Sequence, residues 1–395
     1  MRSREFMPIF AAGLLLAGCQ PGGSNHLALQ SRFFDHVEVI GGRGGGAGEF
    51  NKPRSVALDS HDNLFVVDIT GRVQKFSPAG EFLLSWQMPQ TDLGKPKGMG
   101  RDDKGNIVVL EPHYSRVNFY SDSGKLLYQW GTPGTNAGQL GLPRSVAITH
   151  HGEIYLSEYG HVERVQKFSL DGKTLLARFG TAGAGPGEFN RAEGLGLDAQ
   201  ERLYVADSCN HRIQIFNPDG KFIASYGKAG QGMGELSYPY DVRIDPQGCQ
   251  YVCEFGNSRI QVFNSANQPV EIIGGPGSAP GQMSNPWSIA FDSHWNLYVA
   301  DGGNNRVLKF VRRGNVANTA SGQRQFMKGW SHATKAVEGY RSPRRFASGV
   351  APERPARVLE CASPLALWLR APNGRRANQE SAMASGATFS RGATL

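Results

Sequence analysis

A motif that recurs six times constrains the fold of this chain more than any other feature. Each copy contains an apolar strand, a tight turn, an arginine and a second apolar strand, and a Gly-containing turn with a further strand follows most copies. Successive arginines are 44, 48, 48, 47 and 47 residues apart. They are Arg72, Arg116, Arg164, Arg212, Arg259 and Arg306. Four strands per unit in six units predict an all-β fold, a six-bladed β-propeller with four-stranded blades.

The two ends of the repeat array predict how the ring closes. The sixth copy stops near Phe310 after its third strand, whereas residues 33–42 match the missing fourth strand. We therefore expect an N-terminal strand to complete blade 6, which removes two exposed sheet edges. The propeller domain then comprises residues 33–315.

The residues of the repeat resemble the NHL family. The best copy is LYVADSCNHRIQIF at 203–216, and the six copies together carry the resemblance over residues 33–311. The second copy departs most from the pattern, at Glu111 and Asn118. The resemblance implies a propeller that uses one face to bind protein or RNA. The chain lacks the RING cysteines that precede such domains in tripartite-motif proteins, so ubiquitin-ligase activity is not implied.

The start of the chain predicts export. Residues 1–19 combine a charged beginning with about ten mainly apolar residues, too few to span a bilayer. They end in LAGC, which resembles the lipobox of bacterial lipoproteins and implies a lipid on Cys19. Gln20, next in the chain, favours the outer membrane in a Gram-negative cell. Residues 20–32 would be a flexible tether, and we expect a protein that is lipid-anchored to the cell envelope.

The positive charge of the chain lies at its C-terminal end. Residues 316–395 contain ten Arg and two Lys against four Glu, which accounts for the whole formal net charge of +8. The propeller is therefore close to neutral, and its charge gives no indication of nucleic-acid binding. The end of the chain shows no β alternation and no repeat, so we predict a disordered basic tail. One hypothesis is that this tail is frameshifted or read-through sequence.

The residue that opens the first strand of each blade differs from blade to blade. Blades 1 to 3 have cations, blade 4 an acid, and blades 5 and 6 aromatic residues. The six are Arg54, Lys97, Arg144, Glu193, Tyr240 and Trp287. We interpret this ring as a ligand-binding surface at one channel mouth, suited to a partner with an anionic part and a flat or apolar part. The alternative is a solvated rim. We also expect that changing the three cations to alanine removes anion binding without unfolding the ring.

An acidic residue ends the second strand of every blade. These channel-mouth carboxylates are Asp68, Glu111, Glu158, Asp207, Glu254 and Asp301. Each lies four to six residues before the repeat arginine, so one interpretation is a structural pair with that arginine. The other is that some of them coordinate a cation such as Ca²⁺ in the channel.

A histidine pair is the third candidate site. His113 and His161 each precede the repeat arginine by three residues, in adjacent blades. With Glu111 and Glu158 they could bind Zn²⁺ or a similar metal, or they could be ordinary loop residues. Six-bladed relatives include streptogramin lyase, an amidating lyase and metal-dependent lactonases. That resemblance implies His113 and His161 as catalytic candidates, although no complete catalytic set matches position by position.

These observations favour a non-catalytic binding scaffold in the envelope. The expected partner is a protein or a cell-wall glycan, and export makes nucleic acid an unsuitable one. We expect a monomeric propeller, with a membrane contact through the lipid on Cys19 and with no cofactor. The alternative is a metal-dependent enzyme, a lactonase-like hydrolase or a lyase, with Ca²⁺ or Zn²⁺ at the channel mouth.

Overall fold

The computed structural model describes residues 29–314. The predicted signal with Cys19, most of the tether and the basic tail at 316–395 lie outside these residues. The described helical residues form three 3-10 turns of three residues each, at Pro112–Tyr114, Ser208–Asn210 and Gly302–Asn304. Within the described range, no helix is both long and apolar enough to pass through a bilayer.

The strands follow one another at short intervals along the whole described range. The first fifteen are β1 (Phe34–Ile40), β2 (Gly42–Arg43), β3 (Glu49–Phe50), β4 (Pro53–Leu58), β5 (Leu64–Asp68), β6 (Arg72–Phe76), β7 (Phe82–Gln87), β8 (Met99–Arg101), β9 (Ile107–Glu111), β10 (Arg116–Tyr120), β11 (Leu126–Trp130), β12 (Pro143–Ile148), β13 (Glu153–Glu158), β14 (Arg164–Ser169) and β15 (Leu175–Phe179). The remainder are β16 (Thr181–Ala182), β17 (Glu188–Phe189), β18 (Ala192–Leu197), β19 (Leu203–Asp207), β20 (Arg212–Phe216), β21 (Phe222–Tyr226), β22 (Pro239–Ile244), β23 (Gln250–Glu254), β24 (Arg259–Phe263), β25 (Pro269–Gly274), β26 (Pro286–Phe291), β27 (Leu297–Asp301) and β28 (Arg306–Arg312).

Six antiparallel four-stranded sheets form the blades of a ring, which confirms the predicted all-β, six-bladed propeller. Blades 1 to 5 are β4–β7, β8–β11, β12–β15, β18–β21 and β22–β25. Blade 6 consists of β26, β27 and β28 with β1 as its outer strand, so the N-terminal strand completes it as expected. In that pairing Val37 lies opposite Phe310 and Ile40 opposite Val307.

Five of the connections between blades share one geometry. A short parallel contact brings the two ends of the loop together, as between β2 and β3 or β16 and β17. Equivalent isolated bridges join Pro133 to Leu140, Ala229 to Leu236 and Pro276 to Met283. The connection from blade 1 to blade 2 has no such contact among the described residues.

Burial falls from the ring axis towards the rim. The inner strand β4 is buried along its whole length, whereas the outer strand β7 of the same blade is mainly exposed or half-buried. An aromatic residue near the end of each third strand is buried at the interface between blades. These residues are Phe76, Tyr120, Phe168, Phe216, Phe263 and Phe310. Because each apolar cluster contains residues of two neighbouring blades, removal of this surface from water stabilises the ring as a whole.

Candidate binding site at the channel mouth

All six residues of the variable ring line one cavity at the propeller axis. Arg54, Lys97 and Arg144 lie on the side of blades 1 to 3, and Tyr240 and Trp287 lie on the side of blades 5 and 6. The free volume of the constriction is about 30 Å³, room for about two water molecules. A ligand larger than this volume would therefore contact the ring from the mouth of the channel.

Glu193 balances only part of the positive charge of the ring. Arg144 donates from Nε and Nη2 to the two carboxylate oxygens of Glu193 at 2.6–3.0 Å. The Nε of Arg191 reaches the same carboxylate at 2.9 Å. Within residues 29–314, the side chains of Arg54 and Lys97 form no ion pair and no hydrogen bond. Two cations thus face the channel without a carboxylate of their own.

The pKa shifts of the ring residues agree with this excess of positive charge. Burial lowers the pKa of Lys97 well below its usual value, and the charges of Arg144 and Arg54 lower it further. Burial and Arg144 lower the pKa of Arg54 to about 10. Burial alone would raise the pKa of Glu193, but Arg144 and Arg191 hold it below its ordinary value. An anion bound at the mouth would therefore offset the cost of keeping these buried, mutually repelling cations charged.

The opposite side of the ring is aromatic. The ring of Tyr240 stacks on Phe255 with centroids 4.4 Å apart, and Trp287 contacts both edge to face at 5.1 and 5.3 Å. The guanidinium of Arg54 lies 4.9 Å from the centre of the Trp287 ring, in the range of a cation–π interaction. The cationic and aromatic halves of the ring therefore meet at Arg54 and Trp287.

Sequence reasoning missed the residues that directly follow two of the acidic residues. Phe255 follows Glu254 and packs on the aromatic half of the ring. Tyr159 follows Glu158, and its ring lies 4.5 Å from the guanidinium of Arg144 and 4.9 Å from that of Arg191. A signal was present in the sequence, because the residue after the second strand varies between blades as much as the residues of the ring do.

Sequence reasoning also missed an ion pair that lines the channel. At the position of Asp241 in β22, the first strands of the other blades have Ser or Gly. At the position of Arg243 they have Ala or Gly. The Nη1 of Arg243 lies 2.6 Å from Oδ1 of Asp241, and both residues line the cavity. The sequence signal was that blade 5 has charged residues at two positions where the other blades have small ones.

The six acidic residues at the ends of the second strands do not line this cavity. All are buried, with at most 1% of each residue exposed, and all pair with the repeat arginine of their blade. In blade 4, Asp207 accepts from Arg212 Nε at 2.8 Å and from the backbone N–H of Asn190 at 2.8 Å. The same arginine donates to the carbonyls of Ala184 and Glu188 in the preceding loop. The carboxylates therefore join strand to loop behind the mouth, because their oxygens are turned towards these donors.

Blade 2 is the exception to this arrangement. Glu111 pairs with Arg116 and accepts from Asn118 at 2.8 Å, but its Oε1 has no hydrogen-bond partner in the described part of the chain. Burial raises the pKa of Glu111. The connection that precedes blade 2 lacks the parallel contact of the other loops, so it brings no backbone donor to this carboxylate.

The structure does not bring His113, His161, Glu111 and Glu158 together as a metal site. Both glutamates are buried in ion pairs with their repeat arginines, and both histidines are exposed. Equal spacing in adjacent repeats places such residues a blade apart, and their side chains do not converge. Burial and then the charges of Lys97 and other ring cations lower the pKa of His113.

Comparison with known proteins supports the repeat assignment. The NHL repeat family matches residues 189–216 and 283–310. NHL repeat-containing protein 3 of Mus musculus is 32% identical over 182 residues, which covers 42% of this chain and 51% of the relative. Protein brain tumor of Drosophila melanogaster is 31% identical over 130 residues, 33% of this chain and 12% of that protein. The chain thus spans about half the length, or less, of these relatives.

Solved structures show the same architecture. A gluconolactonase from Xanthomonas campestris superposes with a TM-score of 0.53 at 16% identity, covering 72% of this chain and 92% of that one. A protein of Bacteroides thetaiotaomicron superposes with a TM-score of 0.54 at 16% identity, covering 70% and 76%. At such identity the likeness concerns the fold alone. The chain therefore contains NHL repeats, has homologues among NHL repeat-containing proteins and folds as a six-bladed β-propeller.

Proposed function

We propose that this protein is a binding scaffold of the bacterial envelope. A lipid on Cys19 anchors it, and the ring at the channel mouth holds an anionic group of a protein or cell-wall glycan partner. The observation that carries the proposal is the pair of side chains Arg54 and Lys97, which face the channel with no carboxylate partner among the described residues. An arriving carboxylate, sulfate or phosphate would supply the counter-charge through charge-assisted hydrogen bonds.

The aromatic half of the ring completes the proposed recognition. Trp287 lies beside Arg54 and is backed by Tyr240 and Phe255. A flat or apolar group next to the bound anion can pack there, because aromatic faces accept both sugar rings and side chains. The proposed ligand therefore has an anionic group adjacent to an apolar or planar one.

The contacts at the channel favour a scaffold over an enzyme. Asp241 and Arg243 are paired with each other in a cavity of about 30 Å³. All six acidic residues behind the mouth are paired with arginines, and all but Glu111 also accept from a backbone N–H among the described residues. None of the six acidic residues lines the cavity at the mouth.

The test uses the full chain and two fluorescent probes, a hexaglutamate peptide and a sulfated oligosaccharide. We expect at least one probe to bind, and binding to weaken about tenfold or more in the Arg54→Ala/Lys97→Ala double variant, since one hydrogen bond to a charged group contributes about 1.5–3 kcal/mol. The matched control is Lys125→Ala/Lys221→Ala, which removes two exposed charges elsewhere. Equal affinity in the two double variants, or no binding of either probe, would remove the proposal. The two probes distinguish a peptide from a glycan.

The anchor is tested separately in a Gram-negative host. The wild-type protein is expected to incorporate radiolabelled palmitate and to remain with the membrane fraction. Cys19→Ser is expected to lose the label. A labelled Cys19→Ser protein, or an unlabelled wild type, would contradict the lipid anchor while leaving the channel-mouth site untouched.

A further inference from the structure

A second cluster of chemically reactive side chains lies at the far end of the inner strands. The ring residue Arg144 stands near the start of β12, whereas His150 and His151 follow the end of that six-residue strand. A strand of this length spans about 20 Å. Glu201 lies in the corresponding turn of blade 4, between β18 and β19. The cluster is therefore on the opposite face from the channel mouth, across the boundary between blades 3 and 4.

The three side chains have the spacing of a metal site. One donor atom from each of His150, His151 and Glu201 lies within 4.8 Å of the others. Nδ1 of His150 is 2.8 Å from Oε1 of Glu201, and the two imidazole centroids are 4.0 Å apart. No other group of three or more His, Cys, Asp or Glu side chains in residues 29–314 approaches so closely.

The two turns are held in place before any ligand arrives. In blade 3 the backbone N–H of Gly152 donates to the carbonyl of Thr149. The side-chain Oγ1 of Thr149 accepts from the N–H of Glu153 at 3.0 Å. In blade 4 the N–H of Glu201 donates to the carbonyl of Asp198 at 3.0 Å, and Glu201 has a φ of +57°. Such order reduces the conformational entropy that binding would cost.

The boundary between blades 6 and 1 has the same geometry with different residues. Ser293 and His294 occupy the positions of His150 and His151, and Asp62 occupies that of Glu201 with a φ of +60°. Here Asp62 accepts from the N–H and the Oγ of Ser293 at 2.8 and 2.6 Å. Nδ1 of His294 also lies 3.3 Å from Oδ2 of Asp62, so one serine and one histidine meet the carboxylate at this boundary. Blade 3 has His150 where blade 6 has Ser293, and this substitution places a second imidazole nitrogen beside the carboxylate.

We propose that His150, His151 and Glu201 bind one Zn²⁺ ion that joins blades 3 and 4. Two imidazole nitrogens and one carboxylate oxygen form a donor set that zinc accepts with a fourth, solvent position. Ca²⁺ and Mg²⁺ prefer oxygen donors, so two nitrogens disfavour them. The side chain of His150 is 67% exposed, so an ion reaches the site from solvent. This inference is independent of the proposed function at the mouth.

The test is zinc titration of the full chain after removal of bound metal with a chelator. Wild type is expected to bind one equivalent more than His150→Ser, and zinc should raise the melting temperature of wild type by more than that of the variant. His150→Ser reproduces the serine–carboxylate contact of blades 6 and 1, so its melting temperature without zinc should match wild type. The matched control is His294→Ala, which should leave zinc binding unchanged.

Two further variants keep the test decisive if His150→Ser folds poorly. His151→Ala leaves the contact between His150 and Glu201 in place and removes one ligand, and Glu201→Gln removes the anionic one. Each should weaken the site at least tenfold. Zinc stoichiometry and affinity equal to those of wild type in both variants would overturn the proposal, as would the absence of zinc binding by wild type.

Discussion

Arg144 donates hydrogen bonds to both carboxylate oxygens of Glu193 across the boundary between blades 3 and 4. Both residues are buried, with 5% and 6% of their surface exposed. Replacing Arg144 with alanine leaves Glu193 with Arg191 as its remaining close partner in a poorly hydrated place. Loss of one member of a buried pair costs about 3–5 kcal/mol. We expect the free energy of unfolding of Arg144→Ala, measured by urea titration, to fall by about that amount.

The same contact revises an expectation drawn from the sequence. Changing Arg54, Lys97 and Arg144 together was expected to leave the ring folded, but the triple variant also breaks the pair with Glu193. The control is Arg54→Ala, whose side chain has no carboxylate partner in the described range and should change the free energy of unfolding by less than about 1 kcal/mol. Equal urea midpoints for Arg144→Ala and wild type would show that the pair contributes little to stability.

Lys97 should make stability depend on alkaline pH. Burial, Arg144 and Arg54 lower its pKa in the folded chain, so the unfolded chain binds the proton more tightly. The free energy of unfolding therefore rises with pH between the lowered folded value and the unfolded value near 10.5. Lys97→Met should remove this rise and should be more stable than wild type at pH 7. Parallel stability curves for the two proteins over this window would contradict the assigned shift.

Blades 4 and 2 should respond differently to loss of the buried carboxylate charge. Asp207 accepts four hydrogen bonds, from Asn190, Asn210, Arg212 and Gln214. Asp207→Asn removes the charge partner of Arg212, and we expect a loss of about 3–5 kcal/mol. Calorimetric melting temperatures check this value, and a melting temperature like that of wild type would refute it.

Glu111 is the matched position in blade 2. Burial raises the pKa of the carboxyls of both Glu111 and Asp207, but Oε1 of Glu111 lacks a hydrogen-bond partner among the described residues. Glu111→Gln should therefore change stability by less than about 1 kcal/mol at pH 7. The folded chain binds the proton of Glu111 more tightly than the unfolded chain. The contribution of Glu111 to the free energy of unfolding therefore falls as pH rises from about 4.5 through the raised folded value. The Glu111→Gln variant should lose this slope, and an unchanged slope would contradict the prediction.

The repeat made most of the fold predictable from the sequence. Strand positions and the closure of blade 6 by β1 follow from the phase of the copies, because residues in the same phase occupy the same place in each blade. The same phase put Arg54, Lys97, Arg144, Glu193, Tyr240 and Trp287 around one cavity. The position of a residue within the repeat does not determine the direction in which its side chain points.

Lateral contacts between blades could not be predicted for that reason. The pairing of Arg144 with Glu193 depends on how far two inner strands lie apart, and the approach of His150 to Glu201 depends on two turns with different sequences. His113 and His161 share a position in the repeat, but in the described residues they form no close cluster with Glu111 and Glu158. The acidic residues of the second strands were open to two interpretations, and their hydrogen bonds to the repeat arginines agree with the structural one.

The Asp241–Arg243 pair gives the last prediction. Asp241 accepts from Ser288 Oγ and the N–H of Ile289 in blade 6 at 3.0 Å each, and from Arg243. Asp241→Ser places the residue of blades 1, 3 and 6 in blade 5 but leaves Arg243 without its anion. We expect that single change to cost about 3 kcal/mol or more, measured as the shift of the urea midpoint.

The double variant Asp241→Ser/Arg243→Ala should recover most of this loss. It gives β22 the small residues found at both positions in other blades, and replacement of a whole buried ion pair is often close to neutral. The two single variants and the double variant form a cycle whose coupling energy should reach about 2–3 kcal/mol, since the residues are in direct contact. Additive costs would mean that each residue is held by its other neighbours and not by its partner. A wider channel in the double variant should also leave probe binding at Arg54 and Lys97 in place, because those side chains belong to other blades.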